Sequence, residues 1–280
     1  MRLQKAKNVE KQMIKKLFFY AIIVVFLTSC SEYQKLLKST DPELKYSKAV
    51  EYYEKKDFMR ANTLFDDVSM YFRGSERSET LLNYLANSYV GLKDHYTAVE
   101  YFKSYTRSYP KGKYIQDAKY MVAYCHYLDS PDARLDQRVT NDAIAAFQEF
   151  IDFFPESEKV PDAVKLMDEL YDKLALKELL NAQLYFNLGS YMMWNNYESA
   201  VIVASNALKN YPTNKYREEL SFIILESKYQ QVIQSFESKK MDRYHSTVDE
   251  YYSFISEFPD GKKRKQADKI FNDTKRIVGE

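Results

Sequence analysis

From about residue 43 onward, apolar residues recur every three or four positions, the period of an amphipathic helix rather than the alternation of a strand. The stretch "ETLLNYLANSYVGLKDHYTAVEYFKSYTRSYP" (Glu79–Pro110) shows it best. Leu82, Leu85, Ala86 and Tyr89 share one helical face, "KDH" makes a turn, and Ala98, Phe102 and Tyr105 continue on a second helix. The prolines show that this unit repeats. Four of the seven follow an aromatic residue, as Tyr109-Pro110, Phe154-Pro155, Tyr211-Pro212 and Phe258-Pro259. Twelve residues before these prolines stand Ala98, Ala143, Ala200 and Thr247, and eight before stand Phe102, Phe147, Ala204 and Tyr251. Each pair lies one turn apart on the same face, and the proline stops the helix by biasing the preceding residue away from the α region. A fifth copy has Ala61 and Phe65, with Arg73 in the proline's place and Gly74 able to end the helix.

A large residue, Leu, a small residue and Tyr on a first helix, then Ala, an aromatic and a closing Pro on a second, resemble the tetratricopeptide repeat. The small residues let paired helices approach, and the larger residue a turn away fills the adjoining gap. The pattern predicts an all-α helical solenoid of about five such pairs, at roughly 43–73, 75–110, 113–155, 160–212 and 214–259. Repeats one to three form an N-terminal group (43–155) and repeats four and five a C-terminal group (156–259). Proline spacings of 45, 57 and 47 exceed the usual 34, so the later repeats carry insertions. One is a polar loop, Leu128–Thr140, after which Thr140 or Asn141 caps the next helix. Another is a long helix opening at Pro161 and reaching about Met193. Gly189 to Tyr197 is one residue shorter than the repeat expects. Residues 260–280 form a capping helix and tail in which Ala267, Ile270 and Phe271 face the last repeat while Lys262–Lys265 stay in water.

The N-terminus departs from this pattern. Six basic residues, Arg2, Lys5, Lys7, Lys11, Lys15 and Lys16, precede the 11 apolar residues "LFFYAIIVVFL". Eleven residues are too few to cross a bilayer, which needs about 20, and suit the apolar core of a secretory signal. Leu27-Thr28-Ser29-Cys30 follows. It resembles the lipobox of bacterial lipoproteins, which implies that residues 1–29 are a cleaved signal peptide and that Cys30 becomes the acylated first residue. Residues 30–42 are then a lipidated linker, and the resemblance places the body at the outer membrane facing the periplasm. Several acyl chains hold a protein firmly where one holds it marginally.

Composition narrows the chemistry. Without the leader, 35 basic and 39 acidic residues remain, and this mildly acidic body offers no field for nucleic acid. The common phosphate-loop, dinucleotide, zinc-protease, serine-elbow and paired-cysteine motifs are absent. His95, His126 and His245 lie far apart, and Cys125 sits in the apolar stretch "MVAYCHYL" as a buried small hydrophobe. The sequence therefore predicts no catalytic residue, metal or cofactor. The 26 tyrosines are mostly repeat core, but Tyr53 and Tyr84 fall beside the core positions and are the candidates for an exposed partner-binding surface.

A lipobox, a short linker, about five degenerate repeats and the long helix "PDAVKLMDELYDKLALKELLNAQLYF" together resemble the BamD (YfiO) family of outer membrane β-barrel assembly lipoproteins. The resemblance implies a scaffold whose N-terminal repeats receive unfolded outer membrane protein precursors. It implies that the C-terminal repeats dock the barrel-type assembly subunit, beside other lipoproteins of that complex. Two other readings are a repeat lipoprotein organising peptidoglycan or division enzymes, and a SusD-type glycan-binding lipoprotein. Against the latter, only one Trp is present to stack on sugars.

Overall fold

A computed structural model describes residues 32–191 and 194–278. The leader, the lipobox and Cys30 lie outside the described residues. The described chain is all-α apart from one two-residue hairpin, and its helices pack in successive pairs. It forms two compact units, one up to Ala118 and one from Lys119. The first holds α1 (32–37), α2 (Pro42–Glu54), α3 (Phe58–Ser69), α4 (Glu76–Gly91) and α5 (His95–Ser108). The boundary falls within α6 (Ile115–Asp129). The second unit continues with α7 (Arg138–Phe153), α8 (Val160–Leu188), α9 (Asn196–Asn210), α10 (Arg217–Ile233), α11 (Glu237–Glu257) and α12 (Arg264–Val278).

The paired positions read from the sequence, four residues apart, are buried in the helix packing. Ala61 and Phe65, Ala98 and Phe102, Ala143 and Phe147, Ala200 and Ala204, and Thr247 and Tyr251 are all buried. The aromatic-proline signal has a uniform geometry. α5, α7, α9 and α11 each end two residues before the proline. The intervening Tyr109, Phe154, Tyr211 and Phe258 share φ near −124 to −133° and ψ of 60–68°. Each donates its N–H to the carbonyl four residues back, at 2.8–2.9 Å, before the proline turns the chain. Where the proline is missing the helix ends differently. α3 stops at Ser69, and Gly74 takes φ +79° in the turn that follows.

In the first two repeats the turn between paired helices is closed by a left-handed lysine followed by a capping aspartate. Lys56 and Lys93 have φ of 59 and 61°. Asp57 N–H donates to the Tyr52 carbonyl at 2.9 Å and Asp94 N–H to the Tyr89 carbonyl at 3.0 Å, satisfying carbonyls left open at the helix ends. The two aspartate side chains then accept from Arg60 N at 3.3 Å and Thr97 N at 3.1 Å, starting the second helices.

Three local expectations are corrected. Neither Thr140 nor Asn141 caps α7, because the helix starts earlier, at Arg138. Thr140 is buried inside it and donates to Gln137 Oε1 at 2.7 Å, while Asn141 Nδ2 donates to the Gln137 carbonyl. The long helix α8 does open with Pro161 in its first turn, but it ends at Leu188. Gly189 adopts φ +58°, and β1 (Ser190–Tyr191) pairs antiparallel with β2 (Trp194–Asn195). The hairpin replaces the helical turn the spacing could not accommodate. In the capping helix α12, Ala267 and Ile270 are buried and Phe271 stacks on Tyr251 at 4.3 Å. Of the four basic residues expected in water, Lys262 and Lys265 are exposed. Lys263 lies over the Phe222 ring at 5.1 Å and Arg264 pairs with Asp268 at 2.8 Å.

Candidate functional site

The first unit carries a tyrosine surface on its first helices. Asp41 accepts from Glu43 N and Leu44 N, and Pro42 pre-sets the first turn, so α2 starts at a fixed residue. Seven residues apart on α2, Tyr46 and Tyr53 share a face. Tyr84 of α4 comes between the same groups. Its ring is 4.9 Å from Tyr53 and stacks on Phe65 at 5.2 Å with an interplanar angle of 6°. Tyr46 meets Phe65 edge-on at 6.0 Å and Phe72 at 5.4 Å, and Tyr53 meets Phe58 at 5.6 Å.

Tyr53 and Tyr84 were expected to be exposed beside the core; both are half-buried. The reason is Phe65. It is fully buried, so the tyrosine rings pack on the core above it and remain partly exposed. Burial raises the pKa of Tyr46, Tyr53 and Tyr84 above the usual phenol range, with the neighbouring phenols adding to it. Their hydroxyls stay protonated and can both donate and accept. Among the described residues no hydrogen bond engages these three hydroxyls. Partly exposed aromatic rings beside unspent hydroxyls suit a backbone-rich, partly apolar ligand.

Other tyrosines behave differently, and their partners were missed from sequence. Tyr105 donates to Glu79, Tyr120 to Asp162, Tyr127 to Glu169 at 2.7 Å and Tyr251 to Asp268 at 2.8 Å. Glu79 also accepts the Lys113 backbone N–H at 2.6 Å, and Glu218 accepts that of Lys263 at 2.6 Å. A glutamate in the first turn of a repeat's first helix (α4, α10) thus clamps the Pro-x-Gly turn that follows its second helix (α5, α11). The signal was present in the sequence as Gly112 and Gly261. A methyl group at either would come within 2.5 Å of the clamping carboxylate.

The phenols also set an alkaline limit. Burial and carboxylate partners raise Tyr101, Tyr105 and Tyr120, and the Glu169 hydrogen bond with burial pushes Tyr127 up to about 12. A group whose folded pKa is raised contributes stability that is complete below its unfolded value and lost as pH rises toward the folded one. Urea unfolding should therefore give a flat stability between about pH 7 and 9 and a steady decline above about pH 10, the unfolded phenol value. Undiminished stability well above that pH would contradict the phenol clamps.

Elsewhere the structure offers little chemistry. Cys125 is buried and its thiol is pushed up to about 12 by burial, with Asp129 adding to it, which disfavours the thiolate. Among the described residues no group of three His, Cys, Asp or Glu side chains is placed to hold a metal ion. No helix among them is long and apolar enough to cross a membrane.

Comparison with known proteins places these features in a family context. The model of the YfiO family, described as outer membrane lipoprotein, matches residues 38–194, more than half the chain. The outer membrane protein assembly factor BamD of Caulobacter vibrioides is 26% identical over 184 residues, covering 62% of this chain and 57% of that protein. BamD of Neisseria meningitidis is 26% identical over 199 residues, covering 67% of this chain and 71% of that protein. The chain thus spans little more than half the length of the Caulobacter relative. The segment matched by the family model, residues 38–194, contains the tyrosine surface and α8.

Proposed function

The chain belongs to the YfiO family of outer membrane lipoproteins, and from that premise we propose that it is a non-enzymatic scaffold in the assembly of outer membrane β-barrel proteins. It is anchored by lipid on Cys30 and faces the periplasm. Its first two repeats hold unfolded precursors, and its C-terminal repeats dock the barrel-type assembly subunit.

One observation carries the precursor part: Tyr46, Tyr84 and Tyr53 are packed on a rigid base while their hydroxyls remain unspent. A precursor strand is extended, apolar at alternate positions and prone to aggregate. Aromatic edges cover its apolar side chains, and phenolic hydroxyls satisfy backbone groups that lack a neighbouring strand.

Replacing Tyr53 and Tyr84 by Phe tests this without disturbing the base. Stability should change by no more than about 0.5 kcal/mol per site, because the rings are kept. Affinity for precursor peptides, read by crosslinking to the full chain, should fall about thirtyfold through loss of two hydrogen bonds at about 1 kcal/mol each. Unchanged crosslinking would remove Tyr53 and Tyr84 from the binding surface. Alanine is the wrong probe, since it opens the core beneath Tyr84.

A further inference from the structure

A second feature of the first unit lies close to the anchor. A groove of about 810 Å³ is walled by α1, α2 and the start of α3. Lys35, Lys48, Lys55 and Arg60 line it together with Glu32, Glu51 and Asp57 and with the apolar Leu36 and the exposed Leu44. Lys35, Lys48 and Lys55 are exposed. Glu51 binds both Lys48 and Lys55 at 2.7 Å, which leaves each ammonium with two of its three N–H groups for another acceptor. Arg60 pairs with Asp57 at 3.2 Å and stacks over Tyr33 and Tyr52 at 5.2 and 5.6 Å.

The segment that forms one wall is fastened to the repeat. Tyr33 meets Tyr52 edge-on at 5.8 Å. Lys45, a buried cation, donates to the Leu37 carbonyl at 3.0 Å and pairs with Asp67 of α3. Leu36 and Leu37 pack on the same core cluster as Ala61 and Phe65. Glu32 follows Cys30 by two residues, so their Cα atoms are at most about 7.6 Å apart. A lipid on Cys30 therefore holds this groove at the membrane surface instead of at the end of a loose tether.

We propose that the groove takes the zwitterionic headgroup of a membrane phospholipid. The phosphate is held by the free N–H groups of Lys35, Lys48 and Lys55, the headgroup ammonium by Glu32 and Glu51, and the glycerol end by Leu36 and Leu44. Four cations and three carboxylates match a ligand bearing both charges better than a purely anionic one. The contact would set which way the first repeat faces from the membrane. This inference rests on lipidation of Cys30.

The test uses the full chain as purified from membranes, in detergent or reconstituted into phosphatidylethanolamine–phosphatidylcholine vesicles. Flotation reports anchoring, and lysine acetylation read by mass spectrometry reports the groove. Modification of Lys35, Lys48 and Lys55 should slow about fivefold on vesicles. Lys93 and Lys111, exposed and outside the groove, should react equally in both states. Failure to float would overturn the lipidation reading and this inference with it. Flotation with unprotected groove lysines would overturn the headgroup site alone. Protection that appears only when phosphatidylglycerol is added would replace the proposed ligand with a general anionic surface.

Discussion

Phe65→Ala is expected to cost about 3–5 kcal/mol, the usual penalty for truncating a fully buried aromatic residue. Phe65 has no exposed surface, and it lies beneath both Tyr46 and Tyr84. Losing it leaves a cavity where α2, α3 and α4 meet, and it removes the floor that holds the tyrosine rings in place. Precursor binding should fall along with stability, although the residue itself is out of a ligand's reach. Phe65→Leu should cost less than half as much, because most of the volume is kept. Urea unfolding of both variants checks the energetic part and peptide crosslinking the functional part. A cost below about 1 kcal/mol for Phe65→Ala would mean that the first unit does not pack around this ring.

Cys30→Ser should remove the chain from the outer membrane fraction altogether. Without the thiol no diacylglycerol can be attached, and in the lipoprotein reading cleavage of residues 1–29 depends on that attachment. The variant is expected to keep its leader. Intact mass should rise by the uncleaved peptide and fall by the acyl groups. The effect is large because each buried CH₂ contributes about 0.8 kcal/mol, so several chains cannot be replaced by protein contacts. An unprocessed mass together with loss from the outer membrane fraction supports the anchor. A Cys30→Ser chain of wild-type size still in that fraction would remove it.

The repeat was legible because its signals are local. An alanine four residues before an aromatic, and an aromatic before a proline, each follow from helix geometry. The burial of Ala98, Phe102, Ala143 and Phe147 and the shared cap conformation of Tyr109, Phe154, Tyr211 and Phe258 are the physical content of those signals. What was not legible depended on backbone turns and side-chain partners that helical periodicity does not encode. Apolar periodicity runs past Leu188, and the one local sign against it was the short spacing from Gly189, which takes a positive φ and ends the helix. The start of α7 is not marked by a conventional cap residue, because Gln137 gathers Thr140 and Asn141 instead. The tie between α1 and the first repeat needs Lys45 to reach the Leu37 carbonyl, and a lysine within an amphipathic helix reads as solvated. The candidate site was half legible. Tyr53 and Tyr84 were picked out for lying beside the core, and they do meet each other at 4.9 Å. Phe65 beneath them, which makes them half-buried, could not be assigned to either from spacing alone. Tyr46, the third member, looked like ordinary core.

Co-purification tests most directly whether this chain works as a scaffold in outer membrane protein assembly. Outer membranes solubilised in mild detergent, with the full chain captured through a C-terminal tag, should yield a large β-barrel partner in stable proportion to the chain. That partner should be lost when the C-terminal repeats are altered and retained when Tyr53 and Tyr84 are replaced by Phe. Recovery of the chain alone, or with peptidoglycan or division enzymes and no barrel protein, would contradict the account.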